Sequence, residues 1–137
     1  MSLRSVMTPD PMALEISRSV GEAIALLDDK EVRHLPILQQ GVLVGIVSDR
    51  DLAPIRKAML DAEGWNEANL RRILEEEPLE DVVNKQVIFV DVESALEMVI
   101  DLLLEHRIGA LPVTEGGALV GIVTATDLLK ELRGRLD

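Results

Sequence analysis

Two short segments gather residue types suited to holding a polar ligand: S-D-R-D at Ser48 to Asp51 and T-A-T-D at Thr124 to Asp127. Each follows an aliphatic G-I-V run and precedes a stretch of helical composition. A hydroxyl, a carboxylate and the unpaired N–H groups of a helix start would then share one corner, and such a corner suits phosphate oxygens. Asp is also a favoured N-cap, so capping alone would account for either aspartate. A duplicated Ser/Thr-x-x-Asp after a hydrophobic strand is more than a cap requires. Arg33 and Arg50 are the cations best placed to meet phosphate in an otherwise acidic chain.

Other chemistries lack their residues. There is no cysteine, no G-x-G-x-x-G, no Walker loop and no nucleophile–base pairing, and the carboxylates group by repeat, not as an acid/base pair, so no enzyme activity is expected. His34 and His106 are the only histidines, too few for a metal site, and none is expected. A net charge of -11, from 25 Asp and Glu against 14 Lys and Arg, disfavours nucleic acid and anionic lipid, which bind chiefly through Lys and Arg. No apolar run approaches the roughly 20 residues of a membrane span, and no signal-peptide stretch follows Arg4. With no thiols to oxidise, the chain suits a reducing compartment, and a cytoplasmic location is expected.

The elements that position these residues come in duplicate. Leu35-Pro36 falls on Leu111-Pro112 and Asp51 on Asp127, a shift of 76 residues that holds without a gap from Val6/Val82 to Leu52/Leu128. In each copy Met12, Leu14 and Ile16, or Ile88, Val90 and Val92, alternate as in a short strand. Val20, Ala23, Ile24 and Leu27, or Leu96, Val99, Ile100 and Leu103, then mark one helix face, with capping-box candidates at Ser19/Glu22 and Ser94/Glu97. A strand beginning near Pro36 or Pro112, a turn holding Gly41 or Gly117, and an L-V-G-I-V strand make a hairpin, and a second helix follows Asp51 or Asp127. Gly45 and Gly121 are read as relief of crowding or a bulge within that last strand.

The chain is long enough to bury about two-thirds of its unfolded surface. Its core must be aliphatic, since Trp65 and Phe89 are the only aromatics. The expected class is α+β, two βαββα units that each leave an apolar face uncovered and therefore pack sheet to sheet around a pseudo-two-fold axis.

In order and spacing, M-T-P-D-P at Met7 to Pro11, E-V-R-H-L-P-I with R-I-G-A-L-P-V, and the two segments ending at Asp51 and Asp127 resemble the paired CBS (cystathionine-β-synthase) motifs of a Bateman module. The resemblance divides the chain into motif 1 at 1-52, an acidic helical insert at 53-80 and motif 2 at 81-137. It implies a stand-alone regulatory module that binds AMP, ADP, ATP or S-adenosylmethionine in two clefts between the motifs and modulates an enzyme or transporter. The alternative is a ligand-free dimerisation or protein-interaction module of the same fold. No cofactor is required under either reading.

The resemblance further implies that Asp51 and Asp127 bond the ribose hydroxyls, with Ser48 and Thr124 near phosphate. The vicinal diol of a ribose offers a carboxylate two hydrogen bonds, which fits that role. Facing Asp127 it places Thr8, Pro11, Ala13, Val32, Arg33 and His34 from the opposite motif, with Ile122 and Thr126 from its own. Facing Asp51 it places Asn84, Val87, Phe89, Ile108, Gly109 and Ala110, with Ile46 and Arg50. V-V-N-K-Q in motif 2, against V-M-T-P-D in motif 1, makes the Asn84 side less typical.

A homodimer is implied as well, pairing through faces such as Ala23 to Leu27 and Met98 to Leu102. The insert is expected to form two helical pieces broken near Gly64. Its Glu75-Glu76-Glu77 run is read as a solvated face, and removing Asp61 to Leu74 should spare the core.

Overall fold

The fold is taken from a computed structural model, which describes residues 2–61, 72 and 74–136. The elements are α1 (Leu3–Val6), β1 (Thr8–Pro9), β2 (Leu14–Glu15), α2 (Val20–Lys30), β3 (His34–Gln39), β4 (Val42–Ser48), α3 (Asp49–Asp61), β5 (Val90–Asp91), α4 (Leu96–His106), β6 (Ala110–Glu115), β7 (Ala118–Thr124) and α5 (Ala125–Arg135). A 3-10 turn at Leu79–Asp81 precedes β5. The α+β class, with two sheets and helices, is as the sequence indicates. The Gly64 break lies outside the described residues.

The compact units do not coincide with the repeats. One unit is Met12–Val87, and the other joins Met1–Pro11 to Ile88–Asp137. We call these the first and second unit.

In the first unit β2 runs parallel to β3, and β3 pairs antiparallel with β4. Gln40 and Gly41, both at positive φ, form the two-residue hairpin turn, a backbone twist that matches the twist of the strands. The Glu15 carboxylate accepts from the N–H of Gln40 and of Gly41, at 3.1 and 3.3 Å, so β2 clasps the turn. Val20, Ala23 and Leu27 of α2 are buried with Leu35, Ile37, Val47, Leu52 and Leu79.

The second unit repeats this plan with β5, β6 and β7 and a turn at Gly116–Gly117, adding β1 antiparallel to β7. Its core is built from Leu3, Val90, Val99, Leu103, Leu111, Val113 and Val123.

Leu3 and Leu79 are equivalent across the 76-residue shift, so the repeat reaches three residues further than the gap-free match that begins at Val6. Both leucines are buried, and each serves the hairpin of the other repeat. The same exchange continues in the backbone. Thr8 and Pro9 pair with Ile122 and Gly121, while Asn84 bridges Ile46 through Ile46 N–H to Asn84 C=O at 3.2 Å and Asn84 N–H to Ile46 C=O at 3.0 Å.

Three local expectations change. Pro36 and Pro112 are the third residues of β3 and β6, not the first. They are tolerated because Leu38 C=O accepts from Ile16, and Thr114 C=O from Val92. Pro36 and Pro112, two residues earlier, therefore face the same side at a level that β2 and β5 have not reached. α4 begins one residue later than a Ser94 cap would require: its N-cap is Ala95, which makes no side-chain bond, whereas Ser19 caps α2 by accepting from Glu22 N–H. Ala23 and Leu27 are buried in their own core, which removes them from any dimer face.

Gly45 and Gly121 combine both functions read for them. Each follows a bulge, with Val44 and Val120 the extra residues, and each lets the opening segment of the other repeat come close. A Cβ at Gly45 would strike Val83 Cγ1 and come within 2.8 Å of the Asn84 carbonyl oxygen. At Gly121 the nearest atoms are the flexible Met7 side chain, with the Thr8 carbonyl at 3.1 Å. Gly45→Ala is therefore expected to destabilise by about 1–3 kcal/mol, because a backbone segment must shift, and Gly121→Ala by clearly less, because a methionine can turn away. Urea denaturation of the two variants checks the order, and equal losses would contradict it.

Candidate functional site

Each unit carries one strand-to-helix corner. In the first, Ser48 ends β4 and Asp49 opens α3. Ser48 Oγ accepts from Asp51 N–H at 3.1 Å, and Ser48 N–H donates to Asp51 Oδ2 at 2.8 Å. In the second, Thr124 Oγ1 accepts from Asp127 N–H and Thr124 N–H donates to Asp127 Oδ2, both at 3.0 Å.

Both Ser/Thr-x-x-Asp segments are thus reciprocal capping boxes, which fix the aspartate rotamers as well as the helix starts. The cap uses one carboxylate oxygen. Oδ1 of each aspartate takes no hydrogen bond among the described residues. The N–H of Arg50 and of Thr126, at the second position of each helix, also has no acceptor among them. A free anionic oxygen beside a free helix-start N–H can receive hydroxyls on one side and phosphate oxygens on the other.

The rest of each corner comes from the strand alongside. Arg33 C=O accepts from Asp49 N–H at 2.9 Å, and Gly109 C=O from Ala125 N–H at 3.1 Å. The approach is prepared by the left-handed residues Glu31 and Arg107, which end α2 and α4 and turn the chain into Arg33 and Gly109. His34 then pairs with Ser48, and Ala110 with Thr124.

The first unit accordingly brings together Arg33, His34, Ile46, Ser48, Arg50, Asp51 and Asn84, and it also contains Ala13, Val32 and Val87. The second brings together Thr8, Gly109, Ala110, Ile122, Thr124, Thr126 and Asp127, and contains Pro11, Phe89 and Ile108. Thr8 belongs to the same unit as Asp127 and Asn84 to the same unit as Asp51, whereas the expected pairings of Arg33 and His34 with Asp127, and of Gly109 and Ala110 with Asp51, join residues of different units. The exposed Asn84 side chain makes a local turn, with Oδ1 accepting from Gln86 N–H at 3.0 Å. The link from Arg33 and Gly109 to the helix starts was not legible in the sequence, although the repeat of Glu31/Arg107 and Asp49/Ala125 at the same shift was a signal for it.

His34 is half-buried, and loss of water pushes its pKa below the usual range, while the Asp51 charge opposes that and Arg33 adds to it. Among the described residues no cluster of His, Asp or Glu is arranged to hold a metal ion.

Two α+β units, each with a βαββ core and a capped Ser/Thr-x-x-Asp corner, define a tandem-repeat architecture. Residues 3–56 and again 79–134 match the CBS domain, and the chain belongs to that family. It is 28% identical to the CBS domain-containing protein YhcV of Bacillus subtilis, over 93% of this chain and 82% of that one. Among solved structures, CBSX2 in complex with AMP superposes with a TM-score of 0.80 at 29% identity, covering 98% of this chain and 97% of that one. The CBS domain pair of protein MJ0100, in complex with 5′-methylthioadenosine and S-adenosyl-L-methionine, shares the fold with a TM-score of 0.79 at 24% identity, covering 99% and 98%. No helix among the described residues is long and apolar enough to cross a membrane.

Two measurements test the corner. Ser48→Ala and Thr124→Ala should each cost about 1 kcal/mol of stability, the usual value of an N-cap, read by denaturant unfolding. His34 binds its proton less readily folded than unfolded, so its contribution is present above pH ~6.5 and is lost as the pH falls through the lowered folded value. A His34→Gln protein should show a flatter decline in melting temperature between pH 7 and pH 5 than the parent. An unchanged decline would remove His34 as its source.

Proposed function

We propose that the chain is a regulatory module that binds an adenosine-containing ligand and changes the activity of a partner enzyme or transporter, without catalysis of its own. It would act as a cytoplasmic homodimer. The observation that carries this reading is the duplicated corner in which the capping box occupies one oxygen of Asp51 and of Asp127, while the other oxygen and the N–H of Arg50 and of Thr126 have no partner among the described residues. A ribose diol suits that oxygen, and the following phosphate suits the helix start, with Ser48 and Thr124 holding the aspartates in place. The AMP complex of CBSX2, a relative of nearly the same length, supports the same class of ligand here. S-adenosylmethionine, which shares the adenosine, belongs to that class.

The two corners differ in charge. Arg50 follows Asp49 at the start of α3, and the Arg33 backbone touches the same turn, whereas Thr126 and Gly109 occupy the matching places in the second unit. Guanidinium–phosphate bonds are among the stronger polar contacts, so the Asp51 corner would favour the more highly phosphorylated nucleotides. The Asp127 corner would discriminate less.

Because the capping boxes by themselves account for both aspartates, a second reading stands beside the first: a ligand-free dimerisation or interaction module of the same fold. Calorimetric titration separates the two. AMP, ADP, ATP or S-adenosylmethionine should bind the parent protein and raise its melting temperature by mass action, and Asp51→Ala and Asp127→Ala should each remove one site. No binding of any of the four establishes the second reading. Arg50→Ala should lower the affinity for ATP more than that for AMP, by about 1–2 kcal/mol. Equal losses would reject the phosphate preference and leave the ribose role of the aspartates intact.

A further inference from the structure

The Ser48–Asp51 corner carries a charge that its counterpart in the second unit lacks. Asp49 opens α3 immediately before Arg50, whose N–H has no acceptor among the described residues. The Asp49 side chain is exposed, and it stands at the same helix start that a phosphate would use, so the two anions would repel each other there. Two turns along α3, Arg56 reaches back, with Nη2 3.4 Å from Asp49 Oδ1. It is held in that place by α2: Nη1 and Nη2 donate to the two oxygens of Asp28 at 3.3 and 2.9 Å. One cation thus serves two carboxylates, a polar strap across the two helices.

Stability is a weak reason for such a strap. The Asp28 and Asp49 side chains are 59% and 56% exposed, and ion pairs that water reaches contribute little. Arg56 Nε, moreover, is buried without a hydrogen-bond partner among the described residues, a cost that a side chain placed only for packing would not carry. The second repeat shows what the strap accompanies. Seventy-six residues on, the places of Asp28, Asp49 and Arg56 hold Leu104, Ala125 and Leu132. The three charges are present together or absent together: where the helix start bears no acid at its first position, no arginine reaches back to it. The arginine therefore goes with the acid beside the corner.

We propose that Arg56, pinned by Asp28, is a positioning residue that sets the ligand specificity of the Asp51 corner: it cancels the Asp49 charge, and the corner can then take a nucleoside polyphosphate. The proposal rests on the adenosine-ligand reading above, and Arg56 acts in it through Asp49, not by touching the ligand. AMP and ATP are titrated at low salt into the Asp127→Ala protein, which keeps the Asp51 corner alone, and into the parent, where that corner is the site Asp51→Ala removes. Arg56→Met uncovers Asp49 and should lower the affinity for ATP about fivefold more than that for AMP, since ATP carries more negative charge. Raising the salt should shrink the difference, and adding Asp49→Asn to Arg56→Met should restore the parent's ratio of affinities. Equal losses for the two nucleotides, or no loss, make Arg56 a structural residue and overturn the proposal. A ratio that Asp49→Asn does not restore overturns it too, because Arg56 would then meet the phosphate itself. If circular dichroism shows that Arg56→Met does not fold, Asp49→Asn alone decides: it should raise the affinity for ATP relative to AMP, and an unchanged ratio rejects the proposal. A parent that binds nucleotide only at the Asp127 corner, or binds S-adenosylmethionine but neither nucleotide, overturns the proposal and leaves the adenosine reading standing. A parent that binds none of AMP, ADP, ATP or S-adenosylmethionine overturns both.

Discussion

The structure depends on two places where an opening segment packs directly onto a strand glycine. At Gly45 the segment around Val83 and Asn84 lies against β4, and at Gly121 the segment around Met7 and Thr8 lies against β7. A hairpin with one parallel neighbour leaves the outer edge of its last strand unpaired, an exposed row of donors and acceptors that folded chains take care to cover. Here each edge is covered by the opening segment of the other repeat, which brings a buried leucine with it, Leu79 into one core and Leu3 into the other. Neither repeat is complete alone. The exchange also explains why both glycines sit directly after a bulge: Val120, the extra residue of β7, turns its carbonyl to the N–H of Asp10 at 3.1 Å and so extends the covering segment.

The same edge strands deliver the functional corner. β4 and β7 run straight into the capping boxes, and the reciprocal bonds hold each aspartate in one rotamer before any ligand arrives. A carboxylate already ordered by the fold loses little further freedom on binding, which is the usual benefit of preorganisation. The cap and the proposed ribose contact are therefore compatible at Asp51 and Asp127, since each would use a different oxygen.

Duplication has then allowed the copies to diverge where the fold does not depend on them. The core positions correspond, yet the surfaces differ: Thr126 stands at the position equivalent to Arg50, and Leu132 and Leu104 at those equivalent to the Arg56–Asp28 strap. The Glu15 carboxylate clasps its hairpin turn, while Asp91, one methylene shorter, bonds Glu93 N–H instead. Each exchange alters charge or reach at the surface and leaves the buried aliphatic set intact.

Periodicity and the 76-residue shift were enough to determine the βαββα order within each repeat, though not α1 or β1, together with the hairpins, the helix faces with buried Ala23, Leu27, Val99 and Leu103, and the position of both Ser/Thr-x-x-Asp corners. These follow from interactions within a few residues, and short-range patterns are written in the sequence directly. What only the tertiary structure decided was partnership. Nothing local in T-P or V-V-N states which strand it will join, and the exchange of opening segments became visible only through Thr8 on Ile122 and Asn84 on Ile46. The prolines at the third positions of β3 and β6 likewise depended on where β2 and β5 stop, and the start of α4 at Ala95 on how the chain leaves Asp91. The physical reason is the same in each case: backbone hydrogen bonds between distant segments carry no side-chain signature, so the sequence names the elements and packing chooses their neighbours.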